Sequence, residues 1–247
     1  MNPKSDFIFG IRTIEEAIRS GKEIDRVLIR KGLNGDLFQA FFTLVRENNI
    51  PFQYVPAEKI DRITRKNHQG VIAFLSEVTY DNIETIIPAI YEKGEVPLVL
   101  ILDGITDVRN MGAIARSAEC AGVHAIIVPE KGSAQINADA VKTSAGALHH
   151  IPVCRVKSLT NTVKFLQDSG LLIAAATEKA KDVYYACDFK KPVALIMGAE
   201  DVGVSSDLLR ISETWVKIPM RGQVSSLNVS AAASVLIFDI LRQRTIQ

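Results

Sequence analysis

Four short runs of uninterrupted apolar residues restrict what this chain can become more than any other feature. They are Leu98-Val99-Leu100-Ile101-Leu102, Ala125-Ile126-Ile127-Val128, Leu171-Leu172-Ile173-Ala174-Ala175 and Val193-Ala194-Leu195-Ile196-Met197. A strand with one wet face alternates apolar and polar residues; a continuous run needs cover on both faces. Separated by helical stretches, such runs specify an α/β unit with a mostly parallel sheet and helices on each side. Met111, Ile114, Ala115 and Ala118 share one face of the first intervening helix, which ends at Gly122. Pro152 to Val156 is expected as an edge strand and Trp215 to Ile218 as a further central one. In open parallel sheets ligands sit beyond the carboxyl ends of the strands. Those ends are therefore where chemistry is to be sought.

The residues before this pattern form a smaller α/β unit. Ile11, Ile14, Ala17 and Ile18 fall on one helical face ending at Gly21, and Val27 to Ile29 follows as a strand. A second amphipathic helix carries Leu37, Phe41, Leu44 and Val45; the strands Pro51 to Val55 and Val71 to Phe74 flank a short helix over residues 58–64. We divide the chain into a domain over 1–78, a linker with a short helix over 79–97, and a larger domain over 98–247.

Three strand ends in the larger domain carry unusual residues. After the first strand, Asp103 to Arg116 includes Asn110 and Gly112 at a helix start. After Met197 comes Gly198-Ala199-Glu200-Asp201-Val202-Gly203, two glycines flanking carboxylates where backbone must bend or approach a ligand. After Ile218-Pro219-Met220, the stretch Ser225-Ser226-Leu227-Asn228-Val229-Ser230 opens the last helix, where small polar residues either cap free N–H groups or hold a ligand. Taken singly, Arg116 reads equally as a surface arginine. In the small domain, Arg65-Lys66-Asn67-His68-Gln69-Gly70 gathers cations, amides and a histidine in one loop, either a solvated turn or a contact surface.

Together the three stretches resemble the three motifs of the SpoU (TrmH) family in the SPOUT class of RNA methyltransferases, over most of residues 98–244. The first is Arg109 to Ala118; the second is Ile196 to Glu200; the third is Ile218-Pro219-Met220 with Ser226 to Ser230. The small domain resembles the L30e-like substrate-binding domain of the RlmB-like subgroup, from Phe9-Gly10-Ile11 to His68-Gln69-Gly70-Val71. The resemblance implies a carboxyl-terminal trefoil knot, an exception to the usual absence of knots. It also implies a homodimer, and S-adenosyl-L-methionine as cofactor near Gly198, Ile218, Met220 and Leu227. By the same route Asn110, Arg116, Glu200, Ser226 and Asn228 surround the reacting ribose, with Arg116 oriented by Asn110 and Glu200. Arg65, Lys66, His68 and Gln69 would contact RNA. The implied reaction is methylation of a ribose 2'-hydroxyl, in that subgroup of a guanosine in 23S ribosomal RNA. The alternatives are a transfer-RNA or other ribosomal ribose, and a non-enzymatic RNA-binding or ribosome-assembly protein. Many relatives have glycine where this chain has Asp201, which adds a carboxylate beside the expected RNA path.

Composition sets the remaining bounds. The net charge is +1, with 12 Lys and Arg against 10 Asp and Glu through residue 80 and 17 against 18 beyond it. Any polyanion site must be a local patch. Cys120, Cys154 and Cys187 form no metal-ligand or disulfide spacing, which suits a reducing cytoplasm. Met1 to Asp6 lack a signal-peptide core, and no apolar run reaches a membrane span, so neither a membrane nor a metal is expected. His149-His150, being adjacent, lack ligand spacing. No glycine fingerprint of a dinucleotide or P-loop site follows a strand.

Overall fold

A computed structural model describes residues 7–245. Residues 1–6, where the sequence lacks a signal-peptide core, lie outside the described residues. The chain forms two units, one over residues 1–79 with 135–138 and one over 80–134 with 139–247.

The smaller unit contains β1 (Phe7–Phe9), α1 (Ile11–Arg19), β2 (Ile24–Arg30), α2 (Asp36–Glu47), β3 (Phe52–Val55), α3 (Ala57–Asp61) and β4 (Val71–Leu75). Its sheet runs β1-β4-β2-β3, with β4 antiparallel to both neighbours and β3 parallel to β2. Alternation along β2 decides the layers. Val27 and Ile29 pack with Ile14, Phe41 and Val45 of α1 and α2, while Leu28 meets Ile60 of α3 and Ile72.

The larger unit contains β5 (Tyr80–Asp81), α4 (Ile83–Glu92), β6 (Leu98–Asp103), α5 (Val108–Cys120), β7 (Ala125–Pro129), α6 (Ala138–Thr143) and β8 (Val153–Val156). It continues through α7 (Leu159–Asp168), β9 (Leu172–Ala176), β10 (Asp182–Val183), β11 (Val193–Gly198), α8 (Ser206–Ile211), β12 (Thr214–Lys217) and α9 (Val229–Thr245). The strands order as β10-β12-β9-β11-β6-β7-β8-β5, and every neighbouring pair is parallel. β6, β7, β9 and β11 are the four apolar runs, and β11 is buried along its whole length.

Residues 79–97 do not behave as a linker. β5 pairs with β8 as the last strand of the sheet, and Ile83, Ile87 and Ile90 of α4 enter the core with Val99, Ile127 and Ile173. For the same reason β8 is an inner strand and not an edge. Three apolar residues at helical spacing need a surface to cover, and the sheet is that surface.

Arg244 fixes the direction of the last helix. Its guanidinium donates to the carbonyls of Val96 at 2.8 Å, Pro97 at 3.0 Å, Phe189 at 3.1 Å and Lys191 at 2.8 Å. Burial lowers its pKa from the usual arginine value. These carbonyls precede β6 and β11, so the end of α9 is tied to the amino edge of the sheet. With 17 residues, α9 spans about 25 Å at 1.5 Å per residue and delivers its start to the carboxyl edge.

Candidate active site

Three segments meet at the carboxyl edge. Asp107 caps α5, its Oδ1 accepting from the N–H groups of Arg109 at 2.7 Å and Asn110 at 2.9 Å. Asn110 therefore leaves the first turn of α5 as a directed side chain and does not itself begin the helix.

Beyond β11 the chain doubles back on itself. Ala199 and Gly203 form an isolated bridge, and the Gly203 N–H donates to the Ala199 carbonyl at 2.9 Å. A Cβ on Gly198 would lie 2.1 Å from Gly203 C and Val204 N, so only glycine allows this return. Gly203 itself takes a left-handed φ of 70°. Glu200 and Asp201 thus occupy the tip of a tight loop. Asp201 is absent from the left-handed region and its Oδ1 accepts from the Val202 N–H, so the loop closes without a glycine at that position. Gly112 has a different reason: its Cβ would strike Ala140 O and Thr143 Cβ at 2.7 Å, which makes it the contact point of α5 with α6.

Asn228 joins the three. Its Nδ2 donates to Asn110 Oδ1 at 3.1 Å and to Glu200 Oε1 at 2.5 Å. Its Oδ1 accepts from the Ser230 N–H at 3.0 Å, and its carbonyl accepts from Ala232 N. Asn228 is thus both the cap of α9 and the tie between two loops, because an amide offers a donor end and an acceptor end. Capping and site-building are one arrangement.

Beside this junction is a cavity of about 530 Å³ lined by the carboxyl ends of β9, β11 and β12. Gly198, Ile218, Met220 and Leu227 all line it, as do Glu200 and Ser226. Its size suits a small-molecule ligand. Thr177, Glu178, Lys179 and Lys217 also line it, residues that the sequence did not single out. The signal available was position: Thr177 follows β9, and its N–H continues the sheet to the Val216 carbonyl.

Arg116 is exposed and forms no hydrogen bond with Asn110, Glu200, Ser226 or Asn228. Asn110 and Glu200 are committed to Asn228 instead. Six residues along α5 also carry Arg116 about 9 Å up the axis and roughly 240° round from Asn110. Ser226 is exposed and, among the described residues, makes no side-chain hydrogen bond.

The loop over 65–70 of the smaller unit divides in two. Gln69, at φ 51°, stays exposed while its Oε1 accepts from the Ile11 N–H at 2.9 Å, capping α1 where Gly10 has no side chain to do so. His68 Nδ1 accepts from Gly70 N at 2.9 Å, which places the ring proton on Nε2, donated to Asp61 Oδ1 at 2.9 Å. Both side chains hold the loop together. Arg65 and Lys66 are exposed, and among the described residues their side chains have no partner in the protein.

Among the described residues no three His, Cys, Asp or Glu side chains are grouped to hold a metal ion, and no helix is long and apolar enough to cross a membrane. The cysteines are free. Burial, and next the charge of Asp81, pushes the Cys154 thiol up to about 12, so it is no nucleophile at neutral pH.

The SpoU rRNA Methylase family matches residues 97–238, and the family described as RNA 2'-O ribose methyltransferase substrate binding matches residues 7–81. YacO of Bacillus subtilis, named as a TrmH family tRNA/rRNA methyltransferase, is 30% identical over 244 residues, covering 99% of this chain and 98% of that protein. A protein of the same description from Staphylococcus saprophyticus is 34% identical over 237 residues, 96% of this chain and 95% of its own. The crystal structure of the SpoU methyltransferase AviRb from Streptomyces viridochromogenes with AdoMet superposes with a TM-score of 0.62. It has 24% identity and covers 97% of this chain and 90% of that one, a likeness of fold.

Proposed function

This chain belongs to the SpoU rRNA methylase family, and from that premise we propose that it transfers a methyl group from S-adenosyl-L-methionine to a ribose 2'-hydroxyl of RNA. The observation that carries the reading is the Asn228 junction. One residue from each of three distant stretches meets there, and Glu200 among them lines a cavity of fitting size. The AdoMet in the AviRb structure supports the choice of cofactor.

The cavity fits that group by its chemistry. Gly198, Ile218, Met220 and Leu227 would hold an adenosine by backbone and apolar surface, and the Glu200 carboxylate lining the same cavity would suit a cationic ligand. When bound, the group supplies an electrophilic methyl that needs placement more than activation. The protein's task is then to hold the ribose oxygen in line, with reacting atoms roughly 3 to 3.5 Å apart, and to stabilise charge growing on that oxygen.

Arg116 is assigned to the oxygen as a charge stabiliser, since a guanidinium scarcely gives up its proton. Its exposure leaves it free to serve the site of a second copy in a homodimer. One Glu200 oxygen is taken by Asn228; the other is left to orient the ribose or to receive its proton. The base lies among Glu200, an RNA phosphate and water, and an unchanged pH–rate profile in Glu200→Gln would remove Glu200 from the three.

The substrate is assigned to 23S ribosomal RNA, at a guanosine, as in the RlmB-like subgroup; a transfer-RNA ribose is the second reading, which the relatives' shared description keeps in place. Docking is assigned to Arg65 and Lys66, narrowed from the whole loop. The trefoil knot is assigned from the family resemblance alone, in a sheet where β11 and β12 each enter between strands laid down before them. The free cysteines support a cytoplasmic location. Arg116→Ala should abolish turnover while cofactor affinity, read by calorimetry, stays nearly intact. Near-normal methylation by that variant would remove the assignment.

A further inference from the structure

The carboxyl edge of the larger unit's sheet carries, besides the cavity, an exposed aromatic ring and several cations. β10 is the outermost strand there, paired to β12 through Asp182 with Val216 and Val183 with Lys217. Because the pair is parallel, the residues after β10 emerge level with Ile218, on the same edge as the cavity. These residues are Tyr184 and Tyr185.

Tyr185 is 56% exposed, an unusual position for a ring that usually buries its apolar face. Tyr184, half-buried, meets it edge-on with centroids 5.1 Å apart and planes at 78°, which leaves the outer face of Tyr185 open. Lys179 and Lys217 line the cavity, Lys181 immediately precedes β10, and Arg221 follows Met220. Among the described residues none of these four cations has an ion pair. The acids on this edge are Glu178 and Asp182 beside these cations in sequence, and Glu200 and Asp201 across the cavity from Lys179 and Lys217.

We propose that the β10 edge is a second RNA-contact surface, distinct from the loop of the smaller unit. An unpaired base next to the target nucleotide stacks on Tyr185, and the flanking phosphates lie along Lys181 and its neighbouring cations. The inference rests on the reading of the cavity as an RNA methylation site. Stacking on a ring tolerates any base, so this surface adds affinity and position, not sequence choice. Lysines beside the ring supply the counter-charge that a phosphate backbone requires.

The test uses the full-length protein and a mixed-sequence single-stranded RNA of roughly 12 nucleotides carrying 2-aminopurine, with binding read by fluorescence. Tyr185→Ala should weaken binding about tenfold, while Tyr185→Phe, which keeps the ring, stays within about twofold. Lys181→Ala should reduce the slope of log affinity against log salt by about 0.7. Cofactor affinity by calorimetry and mass in solution should match the wild type in all three. Wild-type affinity in Tyr185→Ala would overturn the proposal. So would a loss in Tyr185→Phe equal to that in the alanine variant, or a loss accompanied by a change of oligomeric mass, which would make the ring an interface between copies. A wild type that binds no S-adenosyl-L-methionine would instead remove the reading of the cavity, separately from the behaviour of Tyr185.

Discussion

Two polar stretches of this chain look alike in sequence and are used in opposite ways. In Ser225 to Ser230, Asn228 turns toward other segments and ties Asn110 to Glu200 at the rim of a cavity. In Arg65 to Gly70, His68 and Gln69 turn toward their own unit, one bracing Gly70 against Asp61 and the other capping α1. A cluster of amides and small polar residues therefore marks a place where backbone needs partners. Whether it also marks chemistry depends on what lies across from it. At the first site three distant strand ends converge; at the second the loop closes on itself.

The contrast can be broken by substitution, beginning where the effect should be greatest. Gly198→Ala drives a methyl into backbone at 2.1 Å. It should unfold the loop over 199–203 and cost about 3 kcal/mol or more, read as the midpoint of thermal or urea unfolding. Stability within about 0.5 kcal/mol of the wild type would show that the return over Gly198 is not obligatory. Asn228→Ala removes a cap worth about 1 kcal/mol and should lower turnover by roughly 100-fold. Its signature is a loss of rate far larger than the loss of stability.

The smaller unit should show the reverse pattern. Gln69→Ala leaves the N–H of buried Ile11 without its acceptor and should destabilise by about 1 to 3 kcal/mol, with RNA affinity of the folded protein unchanged. A specific fall in RNA affinity at full stability would return Gln69 to the contact surface. Replacing Arg65 and Lys66 by alanine together should leave the unfolding midpoint in place and reduce the salt slope of RNA binding by about 0.7 to 0.9 for each charge removed. Asp201→Gly should do least, within about 0.5 kcal/mol of stability, because Asp201 needs no left-handed backbone.

The layers of the fold were legible because burial leaves a periodic trace. The apolar runs that became β6, β7, β9 and β11, and the stripes of α1 and α2, stand out in the sequence. The neighbours of each strand were not legible, since periodicity records how many faces are covered and not by what. That is why Ile83, Ile87 and Ile90 read as a linker helix when they complete the core. β10, two residues long, is below any periodic signal, and with it went the edge that carries Tyr185.

The site was legible as three stretches, and its cavity-lining residues Gly198, Ile218, Met220 and Leu227 do come together. What the sequence could not show was direction. Asn228 holds both Asn110 and Glu200, because an amide at a helix start can face two ways, and no spacing in the sequence announces that tie. The cap that Gln69 gives α1 comes with a left-handed φ of 51°, which few sequences announce.

The account turns on whether the Asn228 junction is where a methyl group is transferred. The most direct measurement is single-turnover transfer of isotopically labelled methyl from S-adenosyl-L-methionine to ribosomal RNA isolated from a strain lacking this protein, followed by mapping of the labelled nucleotide. The account predicts one labelled ribose 2'-oxygen with the wild type and a rate at least about 100-fold lower with Asn228→Ala of equal cofactor affinity. Transfer by Asn228→Ala within about twofold of the wild type, at the same nucleotide, would contradict it.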